Sequence, residues 1–130
     1  MGRNSKLLYE EEYYKIVGLC IRVHNKLGCR HKEFIYQDAL EVELIKNSIP
    51  YEREKVIPIF YDGVKLKHSF RADFLIYGCI VLEIKAIRSV SIADFKQTLN
   101  YIKSTDIELA ILINFGTDQL SHQRIISSNK

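Results

Sequence analysis

Cysteine is scarce in this chain of 130 residues, and its pattern excludes two ways of stabilising or equipping a small protein. Cys20, Cys29 and Cys79 are odd in number and no two form a C-x-x-C pair. That argues against a disulfide framework and a zinc knuckle and fits a reducing cytosol. Cys20 and Cys79 are expected as small buried apolar residues. His24, His31, His68 and His122 lack H-E-x-x-H or related spacing, so a histidine zinc site is not expected. No apolar run approaches the ~20 residues needed to span a bilayer. The opening MGRNSKLLYEEEYYK has no signal-peptide core. Met1-Gly2 starts like a myristoylation signal, but Lys6 stands where Ser or Thr is required. Internal repeats and low-complexity linkers are absent too. The expectation is a cytoplasmic protein without a membrane segment. It forms one domain over 1–130, with a core at about 10–126 and frayed ends.

What is present is globular in character. Hydrophobic residues make up 47% and charged residues 27%, which is too apolar and too balanced for a disordered chain. The net charge of +3 permits nucleic-acid binding without indicating it. The distribution is more telling: Arg22, Lys26, Arg30 and Lys32, with His24 and His31, run from 22 to 32 without one acid. Such a run fits a solvated helix end, where cations favour the negative pole of the dipole, and equally a phosphate-contacting patch.

Periodicity orders the elements. Ile16, Cys20, Val23 and Leu27 recur at helical spacing over 9–26, with Gly28 just past the end. A second helix over 32–47 stops near Asn47-Ser48, ahead of Pro50. Strands follow at 52–61 and 64–77, joined by Asp62-Gly63, and at 79–86 after Tyr77-Gly78. Ser91 with Asp94 forms a capping-box variant opening a helix over 92–103. Residues 107–114 read as a buried strand, and Arg124–Ile126 as a short further one. Three hairpin-linked strands make an antiparallel meander, and the helix after them can cross over to a parallel fourth. The predicted class is mixed α/β (α+β): a central mixed four-stranded sheet flanked by helices.

Four places break the pattern. Glu83 and Lys85 share one face of the apolar strand CIVLEIKA, where unpaired charge costs several kcal/mol. Either they form a half-exposed ion pair or they serve chemistry. Asp73 sits in a strand interior, which Asp disfavours. It pairs with Arg71 on its own face, or it meets Glu83 across the Tyr77-Gly78 turn, where a hard divalent cation would relieve the repulsion. Along that strand His68, Phe70, Ala72, Phe74 and Ile76 are expected on one face, with Lys65, Lys67, Ser69, Arg71 and Asp73 on the other. Glu33 and Tyr36 continue a helical stripe through Leu40 and Leu44 that should face the core, although Glu33 alone is explained by the helix dipole. Gln97 and Tyr101 lie together off the apolar stripe Ile92, Phe95, Leu99 and Ile102, as solvent-side residues often do.

Asp73, nine residues, then Glu83-Ile84-Lys85 in a strand–turn–strand setting resembles the PD-(D/E)XK nuclease superfamily, with its restriction-endonuclease-like α-β-β-β-α-β core. Gln97-x-x-x-Tyr101 looks like the QxxxY element of its RecB-type exonuclease branch. More closely, the chain resembles the small bacterial GxxExxY proteins over about 10–126. That likeness rests on Leu27-Gly28, Glu33, Tyr36, Ala39-Leu40, Arg71-Ala72-Asp73, Glu83-Ile84-Lys85-Ala86, Gln97, Asn100-Tyr101 and Leu112-Ile113-Asn114-Phe115-Gly116. Arg30 replaces the first Gly of the motif, at the loop entering the second helix.

The resemblance implies a metal-dependent nuclease acting on DNA or RNA. Asp73, Glu83 and the Ile84 carbonyl would hold Mg²⁺ or Mn²⁺, with Glu33 completing or supporting the shell. Lys85 would orient water or stabilise developing charge, and Gln97 and Tyr101 would position substrate or Lys85. Lys65, Lys67, Arg71, Arg22, Lys26 and Arg30 would meet phosphates. A homodimer is one way for so small a chain to embrace a duplex. The competing expectations are a catalytically silent nuclease-fold module that binds nucleic acid or a protein partner, and a structural domain whose ion pairs only stabilise the sheet.

Overall fold

The computed structural model describes residues 8–127. The Met1-Gly2 start, Lys6 and the end of the expected frayed tail lie outside the described residues. Helix α1 (Glu10–Leu27) has three glutamates in its first turn and His24 and Lys26 in its last, so its charges complement the helix dipole. Gly28, at φ 80°, closes it by donating its N–H to the His24 carbonyl. Helix α2 (Glu33–Lys46) follows, with Tyr36, Leu40 and Leu44 fully buried along the expected stripe. Strands β1 (Tyr51–Tyr61), β2 (Val64–Ile76) and β3 (Ile80–Lys85) form the meander. Helix α3 (Ile92–Lys103) opens on the complete capping box of Ser91 and Asp94. It crosses to β4 (Leu109–Asn114), which pairs parallel to β3. Among the described residues no helix is long and apolar enough to cross a membrane.

The sheet has five strands in the order β1-β2-β3-β4-β5, one more than the four expected. β5 (Ser121–Ile126) runs antiparallel to β4 and is longer than the Arg124–Ile126 segment read from sequence. The physical reason is plain in β4, whose six residues LAILIN are all buried. A strand so placed is stable only with neighbours on both sides. The edge strand that covers it faces water and so carries the weak, polar signal SHQR.

Helices α1 and α2 pack on one face of the sheet and α3 on the other, giving two cores. Cys20 is buried as expected, but Cys79 is only half-buried, because it lies in the β2–β3 turn beside Tyr9. The faces of β2 also differ from simple alternation. Phe70 and Ala72 belong to the α3-side core, whereas Phe74 and Ile76 belong to the α1/α2 side. The switch falls at Asp73. Its counterpart on β1 is Glu54, between the pairs Arg53–Phe74 and Lys55–Ala72, and Glu54 has a left-handed φ of 54°. A non-glycine residue there is strained, and such strain persists only where the surroundings enforce it. The strained backbone of β1 and the change of side along β2 therefore coincide where the carboxylate emerges.

Candidate active site

The β2–β3 ladder runs only from Ile76–Ile80 to Phe74–Leu82. Beyond it the strands diverge, and two main-chain N–H groups lose their ladder partners. Side chains replace them. The Asp73 N–H donates to Glu83 Oε2 at 3.0 Å, and the Ile84 N–H donates to Asp73 Oδ2 at 2.8 Å. Each carboxylate thus braces the opposite strand with one oxygen, which leaves Asp73 Oδ1 and Glu83 Oε1 for a further partner. The expected meeting of the two residues across the turn is what the geometry has.

The electrostatics are those of a site with surplus negative charge. Burial is the main cause that raises the Asp73 carboxyl above its usual range. Glu33 and Glu54 add to the rise, while the Ile84 N–H and Lys85 oppose it. Glu83 is pushed up to about 8, first by burial and then by the charge on Asp73. The Asp73 N–H and Lys85 pull the other way, and Glu33 adds again. Lys85, half-buried two residues along β3, is the cation that acts on both. Fully ionised, two carboxylates and the field of a third outweigh one lysine, and Glu83 relieves the excess by holding its proton up to about pH 8.

The donor set fits a hard divalent cation. Among the described residues, no three His, Cys, Asp or Glu side chains gather closely enough to hold a metal on their own. Two carboxylate oxygens completed by water and substrate oxygens are the set Mg²⁺ prefers. Glu33, half-buried in the first turn of α2, acts on the pair as a charge and is not gathered with it into a three-ligand cluster.

Helix α3 supplies the other flank. Asp94 feels the charge of Lys85, so the start of the helix lies towards β3. Gln97 and Tyr101 follow at successive turns of that stripe. Gln97 is exposed, whereas Tyr101 is half-buried with its ring stacked on Phe70 at 4.3 Å. The basic residues fall in three places rather than one patch. Arg22 pairs with Glu43 at 3.3 Å, and Lys26 lies in the same α1–α2 groove. Lys65 and Lys67 are exposed on the outer half of β2, and Arg71 is 3.8 Å from Glu54. Arg30 borders a cleft at the ends of β3 and β4.

Residues without an assigned role in the sequence hold the end of β3 in place. Asn114, 1% exposed, accepts the N–H of Ile87 and of Gly116 and donates to the Ile87 carbonyl, all at 2.9–3.0 Å. Phe115 donates its N–H to the Lys85 carbonyl at 2.8 Å. An amide closing an apolar strand is a break of the same kind as Asp73, and that break was the available signal. Gly116 has a steric role: a Cβ there would lie 2.3 Å from the Ile87 carbonyl oxygen. Backbone cannot retreat as a side-chain tip can, so Gly116→Ala is expected to destabilise by about 3 kcal/mol in urea unfolding. A loss under ~0.5 kcal/mol would show that the 86–88 segment is slack.

Comparison with known proteins identifies the fold and the family. The sequence profile of the PD-(D/E)XK nuclease superfamily matches residues 10–125. The crystal structure of SSO0001 is similar at a TM-score of 0.55 and 28% identity, over 94% of this chain and 62% of that one. The chain thus spans less than two thirds of the length of SSO0001. An alkaline exonuclease (LHK-Exo) from Laribacter hongkongensis shares the fold at a TM-score of 0.52 and 14% identity, over 97% of this chain and 73% of that one. No curated protein is significantly similar in sequence. The profile match covers nearly the whole chain, from the first turn of α1 into β5, and the chain belongs to the PD-(D/E)XK nuclease superfamily.

Proposed function

We propose that this protein is a nuclease dependent on Mg²⁺ or Mn²⁺, hydrolysing phosphodiester bonds in DNA or RNA. The observation that carries the proposal is the crossed pair of Asp73 and Glu83. Each spends one oxygen on the main chain and keeps the other free, in a setting that resists ionising both carboxyls unless a cation stands beside them. Those free oxygens and the Ile84 carbonyl are the proposed ligands, and Glu33 contributes field and outer-sphere contacts. Bound there, the cation would supply Lewis-acid charge and lower the pKa of water.

The chain's own groups do the rest. Lys85 places its ammonium beside the pair, where negative charge builds on the phosphoryl group as the water oxygen bonds to phosphorus and the ester oxygen leaves. Gln97 is exposed at the α3 flank and is assigned to substrate positioning. Tyr101, stacked on Phe70, is assigned to holding that flank in register. Lys65, Lys67 and Arg71 lie along β2 and meet the phosphate backbone of the bound strand.

A cleavage assay on plasmid, duplex and single-stranded oligonucleotides tests the reading. Cleavage is expected with Mg²⁺ or Mn²⁺, with complete loss in EDTA and a loss of at least ~10³-fold in Asp73→Ala. Binding of nucleic acid with no cleavage above the Asp73→Ala background would instead establish a silent nuclease-fold module.

A further inference from the structure

An open cleft of about 430 Å³ lies just past the end of the strand that carries Glu83 and Lys85, and the carboxylate pair is not part of its lining. It lies at the C-terminal ends of β3 and β4, and Arg30, His31, Arg88, Cys29, Thr117 and Asp118 border it. Its charge is opposite to that of the carboxylate pair. Arg30 and Arg88 are both exposed, and among the described residues neither pairs with a carboxylate, unlike Arg22, Arg53 and Arg71. The one acid of the cleft, Asp118, is engaged by the Cys29 thiol at 3.8 Å.

The walls are built, not loose. Tyr36, fully buried, stacks on Phe115 at 4.4 Å, donates its hydroxyl to the Gly28 carbonyl and accepts the His31 N–H. His24 bonds the Thr117 carbonyl at 2.8 Å. The α1–α2 loop and the segment after β4 are therefore fixed to one another, and Asn114 fixes both to the 86–88 segment that carries Arg88.

The chain ties the cleft to the carboxylate pair on two sides. Arg88 is three residues beyond Lys85, and His31 is two before Glu33, whose charge reaches both carboxylates. A carboxylate site repels the polyanion it must cut, so a strand needs a nearby cationic hold. A guanidinium fork suits a phosphate in shape as well as charge.

We propose that Arg30 and Arg88 form a phosphate subsite that grips the substrate strand next to the scissile bond. The identity of the strand rests on the nuclease reading; the anion chemistry of the cleft does not. The ligand is a phosphate group, either a strand-end monoester or an internal diester.

The test begins with inorganic phosphate titrated into the ¹⁵N-labelled full chain at constant ionic strength, set with chloride. Saturable shifts are expected at the Arg30 and Arg88 side-chain N–H groups and at the Gly116 and Thr117 amides. They should vanish in the Arg30→Gln/Arg88→Gln double variant and persist in Asp73→Asn. Shifts that fail to saturate, or that survive the double variant, overturn the subsite whether or not the protein cleaves nucleic acid. Oligonucleotide binding by anisotropy, in the Asp73→Asn background, then tests the strand role. Removing both arginines should lower the slope of log K against log salt by about 0.7 if one phosphate is gripped on a single strand. A loss confined to 5′- or 3′-phosphorylated strands assigns the cleft to an end, and an equal loss with hydroxyl ends assigns it to an internal phosphate. An unchanged slope and affinity reject the strand role. Failed cleavage with intact phosphate saturation would reject the nuclease reading and leave the anion site standing.

Discussion

Glu83→Gln is expected to abolish cleavage and, at the same time, to strengthen the metal-free fold above neutral pH. The two effects have one origin. In the native site Glu83 is half-buried beside Asp73, and its carboxyl is pushed up to about 8 because burial and the neighbouring charge both oppose ionisation. Gln keeps the shape and can still accept the Asp73 N–H, but it carries no charge for a cation and none to repel Asp73. The loss of metal-dependent cleavage should be ~10³-fold or more. Urea unfolding at about pH 8.5 in EDTA should show a gain of roughly 1–3 kcal/mol. A variant that is both inactive and less stable at that pH would mean that Glu83 serves the fold first. An active variant would remove Glu83 from the site.

The second large effect is a pH dependence that divalent cation reverses. The Glu83 carboxyl holds its proton more tightly in the folded chain than in the unfolded chain. Its contribution is therefore fully present below the ordinary glutamate range and is lost as pH rises through about 8. Asp73 is raised as well, so the two titrate as a pair and add in the same direction. Metal-free protein should lose roughly 3–5 kcal/mol between pH 5 and pH 9 from this pair. Millimolar Mg²⁺ or Mn²⁺ should restore part of it at the alkaline end, because the cation binds only the ionised form, and the folded chain alone offers the two oxygens together. Thermal melts at pH 5, 7 and 9 with and without metal measure both. If alkaline pH leaves the metal-free protein as stable as acid pH, the pair is not electrostatically frustrated and the case for a cation weakens.

Much of the fold could be read from the chain because local signals agreed with global packing. Turn residues Asp62-Gly63 and Tyr77-Gly78 punctuate the meander, and Ser91 with Asp94 caps α3. The match of Asp73 with Glu83 follows from counting back from one tight turn. Three things were hidden, each because it depends on space rather than order. The run from 22 to 32 lacks acids in sequence, yet Glu43 on the neighbouring helix reaches Arg22. The face switch at Asp73 defeats a period of two, since strained backbone at Glu54 leaves no mark in residue type. Arg88 lies outside every motif and gains meaning only once the α1–α2 loop is folded against it.

The long hairpin changes character at the level of Glu54 and Asp73. Inside it, the Phe74–Leu82 pair and its neighbours anchor the carboxylates to the central sheet. Outside it, Ile57, Phe70 and Ala72 pack into the α3-side core, the Phe70 ring stacks on Tyr101 and the Phe60 N–H donates to the Ser104 carbonyl, so it is the tip at 61–69 that stands in solvent. Charge at that exposed tip, where Lys65 and Lys67 stand, can therefore be changed without touching the crossed hydrogen bonds that hold the two acids together.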